Sequence, residues 1–259
     1  MMVKLSAVII TYNEEKNIAR CLSSLKNVAD EIVVLDSFST DNTEKICKEF
    51  GVRFFQHAFD GHIEQKNRVI TYAANPHCIS LDADEVISPE LERSIIKIKK
   101  DFSADGYFFN RRTWYCERFI MHGAWYPDRK LRIWDSSKGA WTGVNPHDRY
   151  EMKAGCRTEY LKGDLLHYSF NTISEHLAQV EKFTTIAAKA DVERGRRTSL
   201  FKIVFYPYWK FIRDYVFKLG FLDGYWGFVV CRINAYSVFY KNIKLREIKR
   251  KKEKNDYIK

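Results

Sequence analysis

Asp82, Asp84 and Glu85 place three carboxylates within four residues, directly after the apolar run Cys78–Leu81. Hard oxygen ligands at this spacing suit Mg²⁺ or Mn²⁺. Such ions bind through one or two carboxylates together with substrate phosphates, and act as Lewis acids on a diphosphate leaving group. A turn or a helix cap is the plain alternative for a lone Asp-x-Asp. No Gly-x-Gly-x-x-Gly follows the first apolar run and no Gly-Lys-Ser/Thr loop occurs, which disfavours a simple dinucleotide or P-loop site. A diphosphate held without a glycine cradle needs a cation. Asp36 closes a second apolar run, where its carboxylate can accept hydrogen bonds from a base or ribose. Ser39 and Asp41, just beyond it, suit caps of the following helix. Arg129 and Arg132 can hold a diphosphate or a phosphorylated acceptor through bidentate contacts, or simply solvate a strand edge. His167 can complete a metal shell or serve as a satisfied structural histidine.

These residues need a scaffold, and the first hundred residues supply its pattern. Short apolar runs at Ala7–Ile10, Ile32–Leu35, Val52–Phe55 and Cys78–Leu81 read as buried strands. Between and after them, Glu14–Leu25, Asp41–Phe50, Gln65–Ala74 and Ser88–Lys100 read as helices. Gly51 stops the second, and Ser88 with Pro89 opens the fourth. Such alternation implies parallel strands joined by helical crossovers, a doubly wound α/β sheet. Ligands of these sheets bind beyond the carboxyl ends of the strands. Thr11–Glu14, Asp36–Asp41 and Asp82–Glu85 all fall there, which points to one shared site. From Asp105 to Tyr168 short aromatic runs alternate with turn residues, as expected of antiparallel strands and long loops. Helical patterns follow at Ile173–Ala190, Leu200–Lys218 and Tyr225–Tyr240. The expected division is a catalytic domain at 1–170 and a helical, aromatic and basic extension at 171–259.

Thr11-Tyr12-Asn13-Glu14-Glu15, Val34 through Thr43, and Leu81-Asp82-Ala83-Asp84-Glu85 together resemble the family 2 inverting glycosyltransferases. The likeness covers about the first hundred residues. It implies the glycosyltransferase-A fold: a Rossmann-like, mostly parallel α/β sheet that binds nucleotide-diphospho-sugars, here with a C-terminal helical extension. It implies that Thr11, Tyr12, Glu14 and Asp36 line a uridine pocket, that Asp82 lies near ribose or metal, and that Asp84 holds the Mg or Mn ion. Lys66 and Asn67 match a basic or Asn pair near the nucleotide. Trp125–Trp134, Pro146-His147-Asp148, Leu166-His167-Tyr168 and Gly220–Gly224 resemble the bacterial subgroup that includes lipopolysaccharide inner-core glucosyltransferases. That subgroup more often has His-Glu where this chain has His147-Asp148. Inverting transfer needs a general base for the acceptor hydroxyl. Asp148 is the first candidate and Asp128 the second, with His147 orienting the base or binding acceptor. The Gln-x-x-Arg-Trp signature of processive members is absent, which implies one sugar per acceptor.

The expected reaction is metal-dependent transfer of a hexose, glucose foremost, from a UDP-sugar to a cell-envelope glycan or glycolipid such as lipopolysaccharide core. Six cysteines without a Cys-x-x-Cys fit a reducing compartment, and no stretch is apolar for the length of a bilayer span. The chain is therefore expected in the cytoplasm. Of its net charge of +10, residues 241–259 supply nine Lys/Arg against three Asp/Glu. The aromatic, basic C-terminal helices suit either peripheral contact with the inner-membrane face or packing against the catalytic domain. Two rivals stand: a basic membrane- or nucleic-acid-binding protein with an inactive transferase fold, and a sugar nucleotidyltransferase. The intact acidic clusters speak against the first, so no nucleic-acid partner is expected. The missing Gly-rich, Lys-containing loop speaks against the second.

Overall fold

The computed structural model describes residues 2–144 and 147–258, with the main chain alone for 144, 147 and 253–258. The chain separates into two compact units. The first comprises residues 1–112 and 128–168, and the second residues 113–127 and 169–259.

The first unit begins with four strand–helix pairs. They are β1 (Leu5–Thr11) and α1 (Ile18–Leu25), β2 (Glu31–Asp36) and α2 (Thr43–Glu49), β3 (Arg53–Gln56) and α3 (His62–Thr71), and β4 (His77–Asp82), which reaches α4 (Pro89–Lys100) through the short β5 (Glu85–Ile87). Along the chain follow β6 (Gly106–Tyr115), β7 (Arg118–Phe119), β8 (Asp128–Asp135), β9 (Gly139–Val144), β10 (His147–Met152) and β11 (Thr158–Phe170), of which β7 and the last residues of β6 and β11 fall in the second unit. The main sheet runs β3-β2-β1-β4-β8-β6-β11-β5, with β7 on β6, and β9 and β10 form a separate hairpin. Strands β1 to β4 pair in parallel; β8 joins β4 antiparallel.

Side-chain alternation explains why both faces of the parallel part are covered. Leu5, Ala7 and Ile9 pack on one face with Ile18, Leu22 and Leu25 of α1 and Leu91 and Ile95 of α4. Val8, Val33 and Leu35 pack on the other with Val69 of α3 and with Trp134, Trp141 and Tyr150. Helix α4 is closed at both ends by its sequence. Ser88 accepts from the Leu91 amide at 3.3 Å, Pro89 follows, and Lys97 and Lys100 lie in the last turn, at the negative end of the helix dipole. Gly163 lets β11 pass the start of α4. A Cβ there would lie 2.3 Å from the Leu91 nitrogen, and its φ of +104° is one that only glycine holds easily.

Two helix starts differ from expectation for local reasons. Helix α1 begins at Ile18 rather than Glu14, because the Glu14 and Glu15 amides donate to Thr43 and Asp41 of the next loop. Helix α3 begins earlier, at His62, after Gly61 at φ 138°.

The second unit carries α5 (Ile173–Glu193), α6 (Leu200–Ile212), a π turn at Arg213–Phe217, a 3₁₀ turn at Gly220–Asp223 and α7 (Gly224–Ile258). Helix α7 runs well past the expected stop at Tyr240. Its Lys, Arg and Glu residues are good helix formers, and Glu247 pairs with Lys251 one turn on at 2.6 Å. Gly227 lets α7 meet the 3₁₀ turn, since a Cβ there would sit 2.0 Å from the Gly220 carbonyl oxygen. Thr172 and Glu175 form a capping box at the start of α5.

His176, one turn into α5, is sealed against Tyr115, Trp125 and Phe170 and lies 3.1 Å from the Tyr115 hydroxyl. Burial pushes its imidazole down to about 4. The unfolded chain therefore binds a proton that the folded chain refuses between about pH 6.5 and pH 4, so stability falls as pH drops through that window. The expected loss is on the order of 3 kcal/mol. Equilibrium denaturation read by tryptophan fluorescence will show it, and His176→Gln will flatten that part of the profile.

Candidate active site

Parallel register brings three chemical positions to one sheet edge. Thr11 pairs with Asp36, and Ile10 pairs with Asp82. The loops after β1 and β2 are stitched together by their own polar side chains. The Asn13 amide donates to Ser39 Oγ at 2.8 Å, the Thr40 amide to Asn13 Oδ1 at 2.8 Å, and the Asn42 side chain to Glu15 at 2.8 Å. Asn13 takes a left-handed φ of 54°, a conformation that Asn tolerates better than most residues. Asp36 is fully buried and accepts from the Ser39 amide and hydroxyl and from Gln56. Ser39 and Asp41 thus brace the loops, with Asp41 accepting from the Glu15 and Thr43 amides. Thr11 is buried and its hydroxyl has no hydrogen-bond partner among the described residues, while Tyr12 is exposed.

Beside this edge lies a network of buried charge. Lys66 of α3, itself buried, reaches Asp82 Oδ1 at 3.0 Å and Asp148 Oδ2 of β10 at 2.8 Å. Arg132 of β8 donates to Asp82 Oδ2 at 3.1 Å and to Glu85 Oε1 at 2.8 Å. Glu85 has no exposed surface and also accepts from the Asp82 amide at 2.9 Å. Arg111 of β6 lies 3.5 Å from Glu85 and 3.0 Å from Asp128, which Lys130 also pairs at 3.0 Å. Trp141 of β9 presents its ring to both central cations, 4.5 Å from Lys66 and 5.7 Å from Arg132. Burial alone pushes the Asp82 carboxyl up, but the charges of Lys66 and Arg132 outweigh it and hold the group well below the usual carboxylate range. Burial likewise works against the Arg132 charge, and Glu85 and Asp82 more than compensate, raising its pKa.

Asp84 stands apart from this network. Its Oδ2 lies 3.1 Å from His167 Nε2 on β11, and its carbonyl accepts from the Tyr168 amide at 3.0 Å. Arg20 stacks on the Tyr168 ring at 3.5 Å. Glu14 faces the same region. Burial pushes its carboxyl up, a hydrogen bond from Asn17 opposes this, and the negative fields of Asp84, Asp41 and Asp82 add to the rise. Among the described residues no three His, Cys, Asp or Glu side chains already form a metal cage. Asp84 carries the hard carboxylate oxygens that Mg²⁺ or Mn²⁺ takes, and its contact with His167 is at ordinary ion-pair distance.

The remaining candidates have other neighbours. Asn67 exchanges hydrogen bonds with the Trp141 main chain, both at 2.9 Å, and so fastens α3 to β9. Arg129 is exposed beside the Phe108 ring at 5.8 Å, and no contact described for it reaches the charge network. The His147 side chain lies outside the described residues. Arg111 and Trp141 were not candidates from sequence. Both sit in aromatic strands of the antiparallel stretch, where spacing alone gives no sign of which face meets the acidic cluster.

A sequence model described as glycosyl transferase family 2 matches residues 6–164. The chain belongs to this family. It is a glycosyltransferase, and its glycosyltransferase-A fold is the parallel β3-β2-β1-β4 core with antiparallel strands added beyond β4 and helices at the C-terminus. It is similar to an uncharacterized glycosyltransferase of Rickettsia typhi, 28% identical across 95% of this chain and 88% of the relative. The lipopolysaccharide core biosynthesis glycosyltransferase LpsC of Rhizobium meliloti is 28% identical, over 93% of this chain and 91% of LpsC. The crystal structure of S. aureus TarS 1-349 aligns with 98% of this chain and 92% of its own, at TM-score 0.47 and 15% identity.

Breaking one side of the charge network leaves a carboxylate buried without its main cation. Arg132→Met is expected to destabilise this family 2 glycosyltransferase by about 3–5 kcal/mol. Adding Glu85→Gln, which removes the stranded charge and keeps an acceptor for the Asp82 amide, is expected to return more than half of that loss. Urea denaturation of the single and double variants measures both.

Proposed function

We propose that this glycosyltransferase moves a hexose, glucose first among those to test, from a UDP-sugar to a cell-envelope glycan or glycolipid acceptor such as lipopolysaccharide core, with inversion at the anomeric carbon. The observation that carries this reading is the pairing of Lys66 with both Asp82 and Asp148. It sets a donor-side carboxylate and a candidate base within one ion pair of each other. The likeness to a relative named for lipopolysaccharide core biosynthesis supports the acceptor class.

In this reading residues 1–170 are the catalytic domain. Thr11, Tyr12, Glu14 and Asp36 take the uridine, with Lys66, Asn67 and Arg129 toward the diphosphate. Asp84, with Asp82 and His167, would hold Mg²⁺ or Mn²⁺, which supplies Lewis-acid stabilisation of the departing diphosphate. Asp148 accepts the acceptor hydroxyl proton as that oxygen bonds to the anomeric carbon and UDP departs from the opposite face. Asp128 is the second choice for this role, and His147 orients the base or the acceptor. A donor diphosphate competes for the Lys66 ammonium, so donor binding releases Asp148 for proton transfer. The helical extension at 171–259 rests on the inner-membrane face from the cytoplasmic side.

Asp148→Asn is expected to keep UDP binding and to lose transfer by about 10²–10⁴-fold, the usual contribution of a general base. Full turnover in that variant would exclude Asp148 as the base. UDP is expected to raise the melting temperature of the wild type only when Mn²⁺ is present, since a ligand of the folded state stabilises it. Asp84→Ala should abolish that shift, and an unchanged shift would remove Asp84 from the metal site.

A further inference from the structure

In the second unit the chain from α5 to α6 turns across α7 and leaves a recess of about 180 Å³. Arg197, Arg246, Lys249 and Arg250 line it together with Thr198 and Leu245. Four of its six lining residues are cationic and none is acidic. Lys249 has a partner of its own, and among the described residues several nearby carboxylates pair with other cations. Asp191 pairs with Arg196 at 2.9 Å and Lys241 at 3.0 Å, Glu181 with Lys244 at 2.8 Å, and Glu247 with Lys251 at 2.6 Å. The loop that carries Arg197 is anchored. The Thr198 hydroxyl donates to Asn242 of α7 at 2.7 Å, and the Arg196 amide donates to the Asp191 carbonyl at 2.9 Å. Like charges gathered on a braced frame repel one another, and an anion with several acceptor oxygens relieves that repulsion.

What adjoins the recess narrows the anion. Thr198 lines it, and α6 begins two residues later. Ile203 is the one buried residue of that helix; Leu200, Phe201, Val204, Phe205, Tyr208 and Trp209 are all exposed. Phe201 and Phe205 are 62% and 54% exposed, values far from those of core aromatics. A contiguous apolar face of this kind marks an interaction surface. Nucleic acid and free phosphate would engage the cations and leave this face in water. An anionic phospholipid engages both, since its phosphate meets the guanidinium groups and its acyl region meets the apolar helix. Among the described residues no helix is long and apolar enough to cross a membrane, so the contact is interfacial.

We propose that Arg197, Arg246 and Arg250, with Lys249 beside them, form a binding site for the phosphate headgroup of an anionic phospholipid, with the exposed face of α6 seated in the adjoining bilayer surface. The site rests on the membrane placement proposed above and makes it specific.

Co-sedimentation of the full chain with vesicles tests it. Binding is expected to vesicles of phosphatidylglycerol mixed with phosphatidylcholine, and to be much weaker with phosphatidylcholine alone. Arg246→Gln with Arg250→Gln is expected to lower affinity roughly 20-fold, and Arg197→Gln, on a loop rather than a helix, about fivefold. Lys182→Gln with Lys189→Gln removes equal charge from the exposed side of α5 and should change affinity far less. Phe201→Ser with Phe205→Ser should weaken binding to both vesicle types. Equal losses from the recess pair and the α5 pair would overturn the site and leave only diffuse charge. No vesicle binding by the wild type, or dimerisation that the Phe201 and Phe205 changes abolish, would overturn the membrane placement as well. The UDP-induced melting shift, measured on every variant, reports the transferase reading separately and is expected to stay unchanged.

Discussion

Glu85 is a carboxylate with no exposed surface, and much of the candidate active site follows from the need to keep it compensated. Its cation is Arg132, which must come from a strand running opposite to the parallel core. The antiparallel pairing of Ile79 with Ile133 delivers it to the Asp82 end of β4. Arg132 then serves two acids, and Lys66 takes the other oxygen of Asp82 and passes the linkage on to Asp148. The β9–β10 hairpin is tied to the main sheet by the same chain of charge, reinforced by the Asn67 bonds to Trp141. Removing any one member therefore disturbs positions far apart in sequence.

The parallel half of the fold was legible in sequence because each buried strand is a short unbroken apolar run and each helix has its own start or stop. β1, β2, β4 and α4 lie within a few residues of their expected bounds. The acidic loops were legible for the same reason, as polar clusters that end apolar runs. Helix starts were less so. Glu14 to Asn17 carries a helical pattern, yet the Glu14 and Glu15 amides are claimed by the neighbouring loop, a tertiary contact that no local pattern encodes. The ion pairs were not legible at all. Lys66 and Asp148 are 82 positions apart, and a lysine on the first turns of a helix gives no sign of which carboxylate it will meet. Arg129 and Arg132 looked equivalent from spacing, but β8 bulges at Arg132, since consecutive residues Tyr107 and Phe108 of β6 pair with Ile133 and Leu131, and only Arg132 reaches the acids.

The second unit shows the opposite balance. Its aromatic richness was plain, but the sequence left open whether those rings pack inward or face outward. Both occur, in different elements. Tyr115, Trp125, Phe170 and Trp226 cluster around His176 or Tyr115 as a small core. The rings of α6 remain outside. Hydrophobicity alone cannot separate these cases, because the difference lies in whether a partner helix covers the face. Ile203 alone is buried in α6, so that helix has one narrow line of attachment and a wide uncovered face.

Charge balance in the first unit bears on the metal. Lys66, Arg111, Lys130 and Arg132 answer Asp82, Glu85, Asp128 and Asp148 one for one, so the network is near neutral by itself. A nucleotide diphosphate entering beside it brings charge that, among the described residues of the network, only an already paired cation can meet, with the exposed Arg129 left to add to it. It can draw on Lys66, but only by stripping Asp82 and Asp148 of a partner. In the reading proposed above, a divalent ion held by Asp84 and its neighbours would supply countercharge to the diphosphate and leave Arg132 to hold Glu85. On the proposed reading, metal dependence is thus a consequence of how completely the buried charges already neutralise one another. The same exchange ties donor binding to catalysis, since the cation that the diphosphate competes for is the one that covers the base.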